Sequence, residues 1–142
     1  MPLFQQRLGG RVALLAEMRI AGRTLAVYNL HLESRGPDDL RLAQLEEALS
    51  DAARAPARTP VLLAGDLNFD TAQPLPGGIL KEAGFCDAIG LPGEPTTPRR
   101  GFLKAGRPID HALIRGPVHA YEGQIHRSVQ ASDHYPLSFL LE

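Results

Sequence analysis

Apolar and polar positions alternate or recur with enough regularity to divide the chain into strands and helices. Residues 11–20 (RVALLAEMRI) are mostly apolar and half alternating, which predicts a strand. Ala21-Gly22-Arg23 reads as a tight turn, and Thr24 to Leu32 as the returning strand of a hairpin. Side chains alternate along a strand, so Asn29 and His31 are expected on one face. Gly36-Pro37-Asp38-Asp39 signals a helix start, with proline at an early position and acids in the first turn. Leu42, Leu45, Leu49 and Ala52 then mark a buried helical stripe that ends before Pro56. Residues 60–65 (PVLLAG) read as a short strand buried on both faces. From Asp66 to Arg107 the chain is rich in Pro and Gly, with one short helix expected near Ile79 to Ala83. Three further strands are predicted at 109–114, 118–126 and 136–141, and no internal repeat interrupts the order. Hairpin, helix, buried strand and further strands together predict a layered α/β (α+β) domain.

Composition narrows this picture little but excludes several classes. A chain of 142 residues suits one domain, and 44% hydrophobic with 22% charged residues is ordinary globular composition. A net charge of -1 excludes a nucleic-acid binder held by bulk charge, though not an enzyme that grips phosphate locally. The one cysteine, Cys86, cannot form an internal disulfide and is expected as a small buried hydrophobe. No apolar run approaches the roughly 20 residues of a membrane span, and the first residues lack a signal-peptide core, so a cytoplasmic setting is expected.

Acids, amides and histidines gather at four strand ends: Asn29 to Ser34, Gly65 to Asn68, Ile109 to His111 and Ser132 to His134. Taken singly each has an ordinary reading. Asp66 and Asn68 make an Asx turn, His31 a strand histidine, Asp110-His111 a surface pair, and Ser132-Asp133-His134 a loop start. Brought together at the edge of a rigid sheet, they suit hydrolysis with a divalent cation. Carboxylates bind a hard ion through oxygen, and imidazole moves protons or contacts phosphate.

In that order and spacing, Asn29-x-His31-Leu32-Glu33-Ser34, Gly65-Asp66-Leu67-Asn68, Ile109-Asp110-His111 and Ser132-Asp133-His134 resemble the endonuclease/exonuclease/phosphatase superfamily of deoxyribonuclease-I-like phosphoesterases. The resemblance implies the C-terminal half of a four-layer, two-sheet sandwich flanked by helices, with the motifs meeting at one edge. It implies that Asp66 orients or deprotonates the attacking water and that Asn68 holds phosphate or metal. Asp110 would orient His134, which donates to a phosphoryl oxygen, and His31 would contact phosphate. Asp133, with Asp66 and Asn68, would hold Mg2+ or Mn2+. His111, on the opposite strand face from Asp110, is left without a role.

The same resemblance exposes a departure. Relatives run to about twice this length, and their N-terminal half brings a metal-ligating glutamate with no counterpart here. The chain is therefore expected to behave as a truncated form, binding metal weakly and turning over slowly or not at all by itself. It would expose an apolar sheet face and so self-associate or assemble with an N-terminal complement. The opposing expectation is a non-catalytic remnant or binding module of the same fold. For substrate, Arg41 and Gln44 after Glu33-Ser34 resemble the branch containing 5′-tyrosyl-DNA phosphodiesterases. The loop 96–107 adds cations, which makes nucleic acid a candidate among phosphate esters. Asn29, Arg41, Arg99 and Arg100 are the expected substrate contacts.

Overall fold

The computed structural model describes residues 11–102 and 104–142. The chain runs β1 (Ala13–Ile20), β2 (Arg23–His31), α1 (Asp38–Ala52), β3 (Val61–Asp66), α2 (Pro74–Glu82), β4 (Cys86–Asp87), β5 (Asp110–Arg115), β6 (Ala120–Ile125) and β7 (Leu137–Leu141). Five strands form one sheet in the order β1-β2-β3-β5-β4, and β6 with β7 forms a second, two-stranded sheet. Ala21 and Gly22 both take positive φ, which gives the two-residue turn between β1 and β2 the twist an antiparallel hairpin needs.

Helices cover one face of the large sheet and the small sheet covers part of the other. On the helix side Leu45, Leu49 and Ala52 of α1 pack with Tyr28, Leu30, Val61, Leu63 and Leu113, joined by Leu67, Phe69, Leu80 and Phe85. On the opposite side Ala112 and Ile114 pack with Leu62, Ala64 and, from the small sheet, Ile125, Leu137 and Phe139. β3 is therefore apolar on both faces because it separates two cores. The small sheet stops short of β1, whose residues are exposed throughout, Leu14, Met18 and Ile20 among them. This mixed α/β architecture with two sheets is the one the sequence predicts.

Three local features differ from the sequence reading. α2 begins at Pro74 rather than near Ile79, because prolines at 74 and 76 fall in the first turn, where no intrahelical N–H is required. β4 has two residues, too few to leave a periodic pattern, and is fixed by pairing with β5. Cys86 lies on that edge strand and is exposed instead of buried; its thiol faces the Ile114 carbonyl at 3.6 Å. No helix among the described residues is long and apolar enough to cross a membrane.

Candidate active site

Strand register draws the first three motif residues into a row. β2 and β3 run parallel with His31 opposite Asp66, and β3 and β5 run antiparallel with Asp66 opposite Asp110. Directly paired residues share a face, so His31, Asp66 and Asp110 project from the same side of adjacent strand ends. Gly65 permits the approach: its φ is +136°, and a Cβ there would stand 2.0 Å from the Leu30 carbonyl oxygen. Leu32 N donates to Asp66 O (2.9 Å) and Leu67 N to Ile109 O (2.8 Å), so the three strand ends are tied just beyond the row.

Asp66 is held from behind. Its Oδ1 accepts from Asn68 N at 2.9 Å, an Asx turn in which Asn68 takes φ +55°. Asn68 is buried and its Nδ2 donates to Leu32 O at 3.1 Å. The other carboxylate oxygen, Oδ2, is 3.6 Å from His31 Nε2 and 4.0 Å from His134 Nε2. One carboxylate oxygen thus sits between two imidazoles.

His134 arrives from the loop before β7. Its Nδ1 lies 2.9 Å and 2.7 Å from the two Asp110 oxygens. A carboxylate only accepts, so Nδ1 carries the proton and Nε2 is turned toward Asp66. Thr96 supports the pair. Its hydroxyl is 2.6 Å from Asp110 Oδ2, and its oxygen accepts from Ile109 N (3.1 Å) and Asp110 N (3.0 Å). Thr96 O accepts from Tyr135 N at 2.7 Å, which fixes the loop that carries His134. Thr96 is 4% exposed, and sequence reasoning missed it because it stands in a loop read only for its cations. A hydroxyl shortly before Ile109-Asp110 was the available signal, but burial of a loop threonine cannot be read from the chain.

His31, Asp66, Asn68, Asp133 and His134 line one cleft of about 440 Å3, together with Arg100, Lys104 and Arg107. Asp110 stands behind His134. The remaining expected residues fall elsewhere. Arg41 is not drawn into the cleft: its guanidinium donates to the carbonyls of Glu33 and Gly36 and pairs with Asp38, bracing the entry to α1. Gln44 likewise accepts from Glu33 N. Arg99 donates to Phe102 O within its own loop. Asn29 is exposed on the face it shares with His31, opposite Ala64. Asp133 forms an exposed ion pair with Arg100. His111 faces the carbonyls of Phe69 and Pro108 with Nε2 and the Thr71 hydroxyl with Nδ1, so it bridges loops on the other face.

Ligand atoms of Asp66, Asp110 and His134 all lie within 4.8 Å of one another, the metal-capable grouping found among the described residues. Two carboxylates and an imidazole form a donor set that fits a hard or borderline divalent cation. Asp110 is already engaged by His134 and Thr96, which leaves Asp66 Oδ2 as the most available oxygen of the three.

The sequence matches the model of the Endonuclease/Exonuclease/phosphatase family over residues 6–134. The chain belongs to this family. Solved structures share its fold. Humanized D. rerio TDP2 superposes with a TM-score of 0.73 at 22% identity, covering 93% of this chain and 60% of that one. An endonuclease/exonuclease/phosphatase from Beutenbergia cavernae gives a TM-score of 0.69 at 25% identity, over 92% and 39%. D. rerio TDP2 complexed with single-strand DNA product gives 0.68 at 21% identity, over 92% and 61%. This chain therefore spans less than two thirds of the length of each of these three structures. Among curated proteins no sequence matches it. Membership in the endonuclease/exonuclease/phosphatase family accounts for the order of the four motifs and for their meeting at one sheet edge.

Proposed function

We propose that the chain is a hydrolase of phosphate esters, acting at the cleft between Asp66 and His134 with Mg2+ or Mn2+. The observation that carries this reading is the Thr96–Asp110–His134 relay aimed past Asp66, beside His31, in a cleft walled by cations. With Nδ1–H bound to Asp110, His134 in its imidazolium form presents Nε2–H to a phosphoryl oxygen and stabilises charge that develops there. Asp66 Oδ2 accepts a proton from the attacking water and so orients it. His31 supplies a second donor to the phosphate. Asp66, with Asn68 and Asp133 as the family resemblance implies, would hold the divalent cation, which would neutralise phosphoryl charge and leave His134 free to donate. Family membership and D. rerio TDP2, whose structure holds a single-strand DNA product, support a phosphodiester or phosphomonoester of nucleic acid as substrate. Self-association through the open face of β1 and a cytoplasmic setting belong to the same reading.

The test is turnover of bis-p-nitrophenyl phosphate with Mg2+ or Mn2+ by the chain and by its Asp66→Asn and His134→Gln variants. Each variant is expected to lose about 10²- to 10⁴-fold in rate with unchanged circular dichroism, the usual range for removing an acid–base group. Turnover that survives Asp66→Asn, or no turnover by the folded chain with either ion, would remove the proposal.

A further inference from the structure

His111 belongs to the third polar cluster yet takes no part in the proposed chemistry. It follows Asp110 on β5, so strand alternation sends its ring to the face opposite the cleft. A partly buried imidazole in such a place is commonly a satisfied polar group and nothing more. Its partners give this one a further role. Nε2 lies 2.8 Å from the Phe69 carbonyl and 3.1 Å from the Pro108 carbonyl. Carbonyls only accept, so Nε2 carries a proton, and in the neutral ring Nδ1 accepts from the Thr71 hydroxyl at 3.1 Å. One side chain therefore joins the entry of β5 to the segment that leaves β3.

That segment shapes the site. Leu67, one residue before Asn68, donates its N–H to Ile109 O at 2.8 Å. Phe69, one residue after it, has its carbonyl held by His111. Asn68 is thus bracketed by two ties across to the β5 side. Between them it holds φ +55°, a left-handed conformation that persists only where neighbouring contacts impose it. In this conformation Asn68 N donates to Asp66 Oδ1 at 2.9 Å and Asn68 Nδ2 to Leu32 O at 3.1 Å. With Oδ1 so engaged, Asp66 Oδ2 is the oxygen turned to His31 and His134. Phe69 is also anchored by its ring in the helix-side core. Apolar packing is non-directional, so it holds the residue in place without setting where its carbonyl points.

We propose that His111 is a positioning residue: from behind the sheet its Nε2–H clamps the exit of the Asp66–Asn68 turn and so sets the aim of the Asp66 carboxylate. The proposal rests on the phosphoesterase reading for the use to which that aim is put. The state of the turn itself can be measured without turnover.

Glutamine offers an N–H at nearly the reach of Nε2, asparagine ends near the reach of Nδ1, and alanine offers no donor. The full chain is compared with its His111→Gln, His111→Asn and His111→Ala variants. Amide hydrogen exchange is followed by NMR at Asn68, whose N–H bonds to Asp66, and at Leu63 in the middle of β3, which reports global opening. Relative to Leu63, exchange at Asn68 is expected to quicken roughly 2- to 10-fold in His111→Ala and His111→Asn and to stay near wild type in His111→Gln. Turnover of bis-p-nitrophenyl phosphate with Mg2+ is expected to lose about 10- to 100-fold in kcat in the same two variants, with KM little changed, and to return with glutamine. Asparagine carries the comparison should alanine fail to fold. Asn68 exchange that merely tracks Leu63 in His111→Ala and His111→Asn makes the imidazole a structural strut and overturns the proposal. So does wild-type kcat in those variants, or glutamine behaving as alanine does. Failure of every form, wild type included, to turn over removes the phosphoesterase reading instead, and the ratio of Asn68 to Leu63 exchange then decides the clamp alone.

Discussion

Thr96 shows how one side chain can organise a site it does not enter. Its single hydroxyl proton goes to the charged Asp110 oxygen, the stronger acceptor, and its lone pairs satisfy two backbone N–H groups at the start of β5. Thr96→Val keeps the shape and removes all three bonds. Leaving the buried N–H groups unpaired is expected to cost about 1–3 kcal/mol of stability in urea unfolding. Turnover of bis-p-nitrophenyl phosphate is expected to show a lower kcat with little change in KM, since Thr96 touches Asp110 and not the ester. Thr96→Ser retains the hydroxyl and is expected to restore both. If Val lowered stability but left kcat intact, the threonine would be a structural strut alone.

Between elements, the link of β2 to α1 carries a titratable contact. Tyr28 packs into the helix-side core, and its hydroxyl donates to Asp51 Oδ2 at 2.8 Å. Burial, and then the hydrogen bond and negative charge of Asp51, push its phenol from 10.0 up to about 12. The folded state therefore holds this proton more tightly than the unfolded chain. Its stabilisation is fully present below pH 10 and is lost as pH rises from about 10 through about 12. Two pH units correspond to at most about 3 kcal/mol. Urea unfolding at a series of pH values is expected to show this decline, and Tyr28→Phe is expected to flatten it. An unchanged slope in Tyr28→Phe would assign the decline to other groups.

At the scale of the molecule, the asymmetry of the large sheet is the dominant feature. The small sheet covers β3 and β5, while on the same face β1 presents Leu14, Met18 and Ile20, which are 61%, 46% and 54% exposed. Among the described residues β1 is also an edge strand, with one row of backbone groups unpaired by the sheet. Contiguous exposed apolar surface along an open edge favours association. Sedimentation velocity is expected to show mass rising with concentration above the 15.4 kDa chain. The double substitution Leu14→Lys with Met18→Lys is expected to shift the distribution back to the monomer. A wild-type chain that stays monomeric at high concentration would count against association through this face.

The sequence by itself determined the elements with strong periodicity. The β1–β2 hairpin, the α1 stripe of Leu45, Leu49 and Ala52, and the double-sided β3 all follow from local spacing. It also carried the four polar clusters, because groups that break an apolar run at a strand end stand out against it. Tertiary structure decided what those clusters do together. Whether His31, Asp66 and Asp110 form a row depends on strand register, which is set by pairing between distant segments, His31 with Asp66 and Asp66 with Asp110. Arg41 and Arg100 look alike along the chain, yet one is consumed by carbonyls around Gly36 and the other lines the cleft. Thr96 and Cys86 exchange the environments their residue types suggest, since burial of a loop position depends on which distant loop is laid over it. Local patterning reports the free energy of a segment's own face, whereas a site is a property of which faces meet.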